Sequence, residues 1–81
     1  MQKLIDTVVD RILFYLGQKN MSQYALAQKS GLPLSTVKSI MQRRTKDINL
    51  QTLFQICVGF GISASEFLDD KTFDPQNLDL E

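Results

Sequence analysis

Apolar side chains recur with the spacing of an α-helix near the start of the chain. Between residues 4 and 16 they return in pairs four positions apart, which places them on one helix face because an α-helix turns once in about 3.6 residues. Gly17 and Asn20 follow as stop residues, since both tolerate the left-handed backbone that ends many helices. We predict a first helix whose apolar face consists of Leu4, Ile5, Val8, Val9, Ile12, Leu13 and Leu16.

Residues 22–42 predict two short helices separated by a glycine. Ser22 can cap the second helix by accepting a backbone N–H from its first turn. Gly31 ends that helix with a positive φ, and Pro33 suits the first turn of the third helix, where its missing N–H is not needed. The third helix has an apolar and a polar face. Its inward face is Leu34, Val37, Ile40 and Met41, and its outward face is Ser35, Lys38, Ser39 and Gln42.

Two more helices are predicted after residue 48. Asn49 is a good cap for a fourth helix, whose end Gly59 and Gly61 should loosen. Ser63 and Glu66 have the spacing of a capping box, which predicts a short fifth helix to about residue 69 that buries Phe67 and Leu68. No segment has a strand signal, so the pattern predicts an all-α fold of five helices. The apolar stripe of the fourth helix is Leu50, Leu53, Ile56, Cys57 and Phe60, with Phe54 and Val58 beside it as core flank or dimer interface.

Residues 70–81 differ from the rest, being acidic and interrupted by Pro75. We expect a domain over residues 1–69, followed by an acidic tail or loosely docked segment. Three apolar tail residues could dock on their own domain, bridge a dimer or have little role. They are Phe73, Leu78 and Leu80.

The formal net charge is zero, but the charges are segregated along the chain. Residues 11–46 contain seven Lys or Arg and no Asp or Glu, whereas residues 47–81 contain seven Asp or Glu and one Lys. A basic segment that carries a helix with a short polar face suits a polyanion, and double-helical DNA is the obvious one.

Composition excludes several classes of function. The 81 residues are enough for one small domain, and no apolar run is long enough to span a membrane or resembles a signal peptide. The chain has no histidine and a single cysteine, Cys57, which reads best as a small buried hydrophobe. The absence of histidine removes histidine-based general acid–base catalysis, histidine-activated nucleophiles and most zinc ligand sets. We therefore expect a cytoplasmic protein that is not an enzyme and has no cofactor, no metal and no membrane partner.

The pattern resembles the Cro/C1-type helix-turn-helix family, also called the XRE family, from about Leu4 to Asp69. The matching residues are Ser22-Gln23, Leu26-Ala27, Gly31, Thr36-Val37 and Ile40, then Leu53, Ile56, Gly61-Ile62 and Phe67-Leu68. The resemblance implies a compact five-helix, lambda-repressor-like DNA-binding domain. Its third helix would enter the major groove of double-stranded DNA, usually as a homodimer on a palindromic operator.

Site residues follow from the resemblance position by position. It implies that bases face Leu34, Ser35, Thr36 and Ser39, with Lys38 and Gln42 flanking them. It implies phosphate contacts at Ser22, Gln23, Arg43, Arg44 and Lys46, with Thr45 as a further candidate. Without the helix-turn-helix spacing around them, Ser35, Thr36 and Ser39 would be interpreted as a solvated helix face. Residues 43–46 would likewise be interpreted as a solvated basic loop.

Three residues depart from the family pattern. Arg43 stands where a glycine usually follows the third helix, which leaves room for a longer helix. Leu34 can touch a thymine methyl but cannot read a hydrogen-bond pattern, and Met41 replaces a commonly acidic residue. The reading residues are therefore small, and specificity could depend on DNA shape or on Lys38 and Gln42.

Two functional hypotheses follow. The first is a sequence-specific transcriptional regulator, a homodimeric repressor or autoregulator. The alternative is a protein-interaction module such as an antitoxin-like partner, whose acidic tail engages another protein.

Overall fold

The computed structural model describes all of residues 1–81 and confirms a mostly helical fold with five α-helices. The helices are α1 (Leu4–Gln18), α2 (Gln23–Ser30), α3 (Leu34–Met41), α4 (Leu50–Phe60) and α5 (Ala64–Phe67). Two short strands, β1 (Gln2–Lys3) and β2 (Leu78–Asp79), flank them, and two 3-10 helices (Lys71–Phe73 and Pro75–Asn77) precede β2.

Local chemistry sets the helix starts where the sequence predicts them. The side chains of Ser22, Asn49 and Ser63 each accept a backbone N–H from the first turn of the helix that follows. The Glu66 side chain completes the capping box of α5 by accepting the Ser63 backbone N–H. Gly31 ends α2 at φ 75°, as predicted. These caps satisfy N–H groups that a helix cannot pair internally.

The third helix does not extend beyond the family pattern, so that expectation is wrong. It ends at Met41, and Arg43 takes up the left-handed conformation at φ 58°. The Arg43 N–H donates to the Ile40 carbonyl and the Arg44 N–H donates to the Ser39 carbonyl, which is the bond pattern of a Schellman motif. Arg43 therefore has the backbone conformation that a glycine would have.

The core lies between the helices and differs from the predicted stripes at three leucines. Leu13, Leu50 and Leu68 are exposed rather than buried. Leu13 lies about 100° around the helix axis from the fully buried Ile12, outside the buried arc of α1. Tyr15 lies inside that arc and packs its ring against Phe60 and Phe67. Leu68 is the residue that follows the last residue of α5, and it is 41% exposed.

The two chain ends meet in a parallel strand pair that the sequence pattern does not predict. Gln2 pairs with Leu78 and Lys3 with Asp79. Two-residue strands are too short to show an alternating pattern, which explains the missing signal. Leu78 is buried, Phe73 packs against the core and Leu80 is exposed, so the segment after α5 lies on the helical body.

Gly59 is the point of closest approach between α2 and α4. It is buried, and a Cβ added there would lie 2.8 Å from Leu26 Cδ1 and 3.2 Å from the Ser30 backbone nitrogen. Leu26 is completely buried, so its methyl group could move only by displacing neighbouring core side chains, and the Ser30 backbone cannot rotate aside. The prediction that Gly59 loosens the end of α4 is therefore wrong. The glycine lies within α4 and allows α2 to pack against it.

Gly59→Ala should lower the free energy of unfolding by about 1–2 kcal/mol, because overpacking this contact outweighs the gain in helix propensity. Gly17→Ala is the matched control, since a Cβ at Gly17 meets nothing within 4 Å, and it should be neutral or stabilising by up to about 1 kcal/mol. Urea unfolding followed by helical circular dichroism measures both. Equal stabilisation by the two substitutions would contradict the close contact.

Candidate nucleic-acid interface

Helix α3 has one buried and one exposed face. Val37 and Ile40 are 2% and 3% exposed and fix the helix on the core. Leu34 and Met41 are half-buried and pack against the core edge. The residues predicted to face bases divide into two groups. Ser35, Lys38 and Gln42 are exposed, and Leu34, Thr36 and Ser39 are half-buried.

The start of α2 carries the first two predicted phosphate contacts. The Ser22 hydroxyl accepts the Ala25 backbone N–H at 3.0 Å, so its oxygen serves as the helix cap. Gln23 is half-buried at the first helical position. The first-turn N–H groups that a helix leaves unpaired, together with its dipole, favour an anion at this end. Tyr24 lies beside them on the surface, and its hydroxyl accepts a hydrogen bond from Gln28 Nε2.

The connector after α3, residues 43–46, is exposed throughout. The Arg43 guanidinium forms an ion pair with Asp6 on α1, whereas Arg44 and Lys46 pair with no acid. Unpaired cations attract a polyanion most strongly, because neighbouring carboxylates do not offset their charge. The uncompensated basic residues of the chain between residues 11 and 46 are Lys19, Lys29, Lys38, Arg44 and Lys46.

Arg11 belongs to the basic segment in sequence but not to this surface. Its side chain is only 12% exposed and packs against the rings of Phe14 and Tyr15. The guanidinium donates to the backbone carbonyls of Phe67 at 2.7 Å and Glu66 at 2.8 Å, and lies 3.8 Å from the Asp70 carboxylate. Arg11 thus caps the carbonyl end of α5. Its partners lie more than 50 residues away, and no local sequence signal indicates them.

The end of the chain brings acidic groups close to the connector. Asp79, Leu80 and Glu81 line a cleft together with Arg43 and Lys46. Lys3 also lines this cleft, with its ammonium 2.7 Å from the Asp79 carboxylate. The hydrogen bond from Lys3 holds the pKa of the Asp79 carboxyl below its ordinary value, and the Glu81 backbone N–H adds to the effect. Asp79 is therefore a stable anion beside the basic connector.

Two other groups titrate away from their ordinary values for structural reasons. The Thr72 backbone N–H, followed by its hydroxyl, lowers the pKa of the Asp70 carboxyl, and Arg11 adds a smaller contribution. Burial raises the pKa of the Cys57 thiol, which keeps it protonated in the core.

The exposed face of α4 presents a separate apolar surface. Leu50, Phe54 and Val58 follow one another at four-residue intervals and are 69%, 53% and 68% exposed. This spacing places them on one side of the helix. Leu50 was predicted to be in the core, so the stripe is longer than the predicted pair Phe54 and Val58.

Other classes of site have little support in the geometry. No group of three or more His, Cys, Asp or Glu side chains is arranged to hold a metal ion. None of the helices combines the length and apolar character needed to cross a membrane.

Comparison with protein families gives one match. A family model described as a Cro/C1-type HTH DNA-binding domain matches residues 11–72. Searches against curated proteins and against solved structures returned no match.

Arg11→Met should lower the free energy of unfolding by about 2 kcal/mol, because it leaves the carbonyls at the end of α5 without their charged donor. The salt dependence of DNA binding should stay unchanged, since Arg11 lies outside the exposed basic surface. Lys19→Met removes an equal but unpaired charge and should change stability by no more than about 0.5 kcal/mol. Equal stability of the two variants in urea unfolding would contradict the capping role.

Proposed function

Because the chain belongs to the Cro/C1-type helix-turn-helix DNA-binding domain family, we propose that it is a sequence-specific transcriptional regulator. It acts as a homodimer on a palindromic operator, as a repressor or autoregulator. The observation that carries this proposal is the outer face of α3. Ser35, Lys38 and Gln42 are exposed there, while Val37 and Ile40 fix the helix from behind.

The residues on the outer face of α3 have different proposed roles, which follow from the chemistry of their side chains. Ser35, Thr36 and Ser39 are short, so α3 can approach base edges closely, while Leu34 offers a methyl contact to thymine. Lys38 and Gln42 reach further and discriminate between bases by hydrogen bonding. Only Lys38 and Gln42 are of the types that form bidentate base contacts, so DNA shape also contributes to specificity.

Phosphate contacts hold α3 in register. Ser22 and Gln23 present the positive end of the α2 dipole, and Arg43, Arg44 and Lys46 present three cations from the connector. Two of these cations have no acidic partner. The contacts are independent of sequence and make binding strongly salt-dependent.

The apolar stripe of α4 is the proposed dimer interface. Phe54 and Val58 are both more than half exposed, and Leu50 extends the same surface by one turn. Contiguous exposed apolar side chains of this kind mark interaction surfaces in small soluble domains. A homodimer presents two copies of α3, and an operator with two related half-sites matches that symmetry.

A second candidate function is a protein-interaction module of the antitoxin type. The observation that favours it is Leu80, which is 64% exposed between the acidic residues Asp79 and Glu81. Such a module can also bind DNA, so the two functions are compatible. Leu78 is buried within the chain's own fold, which leaves Leu80 and its acidic neighbours as the part of the tail available to a partner.

Ser35→Glu should weaken operator binding by about 100-fold or more, because it places a carboxylate against the phosphate-lined groove. The fold should be unaffected, since Ser35 is exposed and an acid in the first turn of a helix is favourable. Ser65→Glu is the matched control, with the same charge change in the first turn of α5, and it should bind nearly as wild type. Binding is measured by fluorescence anisotropy, and full affinity of Ser35→Glu would exclude α3 as the reading helix.

Phe54→Asp should weaken dimerisation by about 30-fold or more, as expected for loss of a central apolar contact. Leu13→Asp controls for non-specific association through exposed apolar side chains. Leu13 is 51% exposed and Phe54 is 53% exposed, but Leu13 lies on α1. Sedimentation equilibrium gives the dimer dissociation constants. A dimer that survives Phe54→Asp and dissociates with Leu13→Asp would move the interface from α4 to α1.

A further inference from the structure

Arg43 occupies a backbone position that disfavours it. Its φ of 58° lies in the left-handed region, where a Cβ is crowded against the neighbouring carbonyl. The only other non-glycine residue with positive φ is Asn20, a type that tolerates this region. A glycine would close the end of α3 without strain. An arginine at this strained position raises the question of what its side chain contributes.

The side chain of Arg43 is held at one edge only. Its Nε donates to Oδ1 of Asp6 at 2.5 Å, which joins the end of α3 to the first turn of α1. The two terminal amino groups of the guanidinium donate to no protein atom, and the side chain is 44% exposed. A guanidinium has five N–H donors in a flat fork, so four remain free, and two of these, one from each terminal amino group, lie parallel on the outer edge. That edge matches two oxygens of a phosphate.

We propose that Asp6 is a positioning residue for DNA binding, which holds Arg43 by its Nε so that both terminal amino groups face a phosphate of the DNA backbone. The inference rests on the proposed DNA-binding function and adds to it a residue on α1, outside the helix-turn-helix. Arginine side chains lose considerable rotamer freedom on binding, and a carboxylate that fixes the side chain beforehand reduces that loss.

Asp6 could also have the opposite effect and weaken DNA binding. A carboxylate beside Arg43 also cancels part of its charge, which by itself would weaken attraction to DNA. If charge cancellation dominated, removing Asp6 would strengthen binding. If positioning dominates, removing it weakens binding, so the sign of the change separates the two roles.

The experiment compares Asp6→Ala with Asp10→Ala on duplex DNA of arbitrary sequence at low salt, because phosphate contacts do not depend on sequence. Both substitutions remove one negative charge from α1, but Asp10 contacts Gln2 rather than an arginine. Asp6→Ala should bind about threefold to tenfold more weakly than wild type per subunit. The slope of log affinity against log salt concentration should also be shallower, by the amount expected for the loss of about one phosphate contact per subunit. Asp10→Ala should bind as tightly as wild type or more tightly.

The same pair of variants is then measured with Arg43→Gly, which suits the positive φ and keeps the end of α3 intact. In that background Asp6→Ala should cause no further loss of affinity, and its binding should match that of Asp10→Ala in the same background. An equal loss with and without Arg43 would show a merely structural role and overturn the proposal, as would unchanged or tighter binding by Asp6→Ala. Wild-type protein that binds no DNA would instead overturn the proposed function, so the two failures are distinct. Urea unfolding of each variant confirms that it is folded during the binding measurement.

Discussion

The close approach of α2 and α4 at Gly59 is the contact on which the rest of the molecule depends. Leu26 and Ser30 of α2 lie against a glycine that has no side chain to separate the helices. The buried Ser30 hydroxyl donates to the Ala27 carbonyl and accepts the Leu32 N–H, which fixes the last turn of α2 and the start of the turn after it. Gly31 then redirects the chain into α3. The packing of α2 on α4 therefore helps to set the direction of α3, the proposed reading helix, although this contact lies away from the exposed residues of α3.

Ion pairs within the protein determine which of its basic side chains remain without an acidic partner and can bind a polyanion. The sequence places seven Lys or Arg between residues 11 and 46, but the fold gives them different roles. Arg11 caps α5 from within the protein, and Arg43 is tied to Asp6. The connector retains Arg44 and Lys46 without acidic partners, although Asp79 and Glu81 line a cleft beside Lys46. Charge counted along the sequence thus overstates the basic surface, because Arg11 contributes to stability instead and Arg43 keeps only its terminal amino groups free.

The parts of the fold that could be predicted are those set by neighbouring residues. Ser22, Asn49 and Ser63 cap their helices through atoms three residues away, so spacing alone identifies them. The parts that could not be predicted depend on distant partners. The strand pair joins residues 2–3 to 78–79, and Arg11 bonds to carbonyls more than 50 residues away. In the candidate site, helical periodicity predicted the exposure of Ser35, Lys38 and Gln42, whereas the Asp6–Arg43 pair required the tertiary structure.

Selection of bound duplexes from a random DNA pool by the purified protein at low salt would show whether the protein reads a DNA sequence. The central claim is that α3, fixed by the α2–α4 contact and flanked by unpaired cations, reads a DNA sequence as part of a symmetric dimer. It predicts an enriched palindrome whose half-sites lie about one helical turn apart. Retained DNA without any enriched sequence would contradict sequence reading by α3. If the protein retained no DNA from the pool, the result would contradict DNA binding itself.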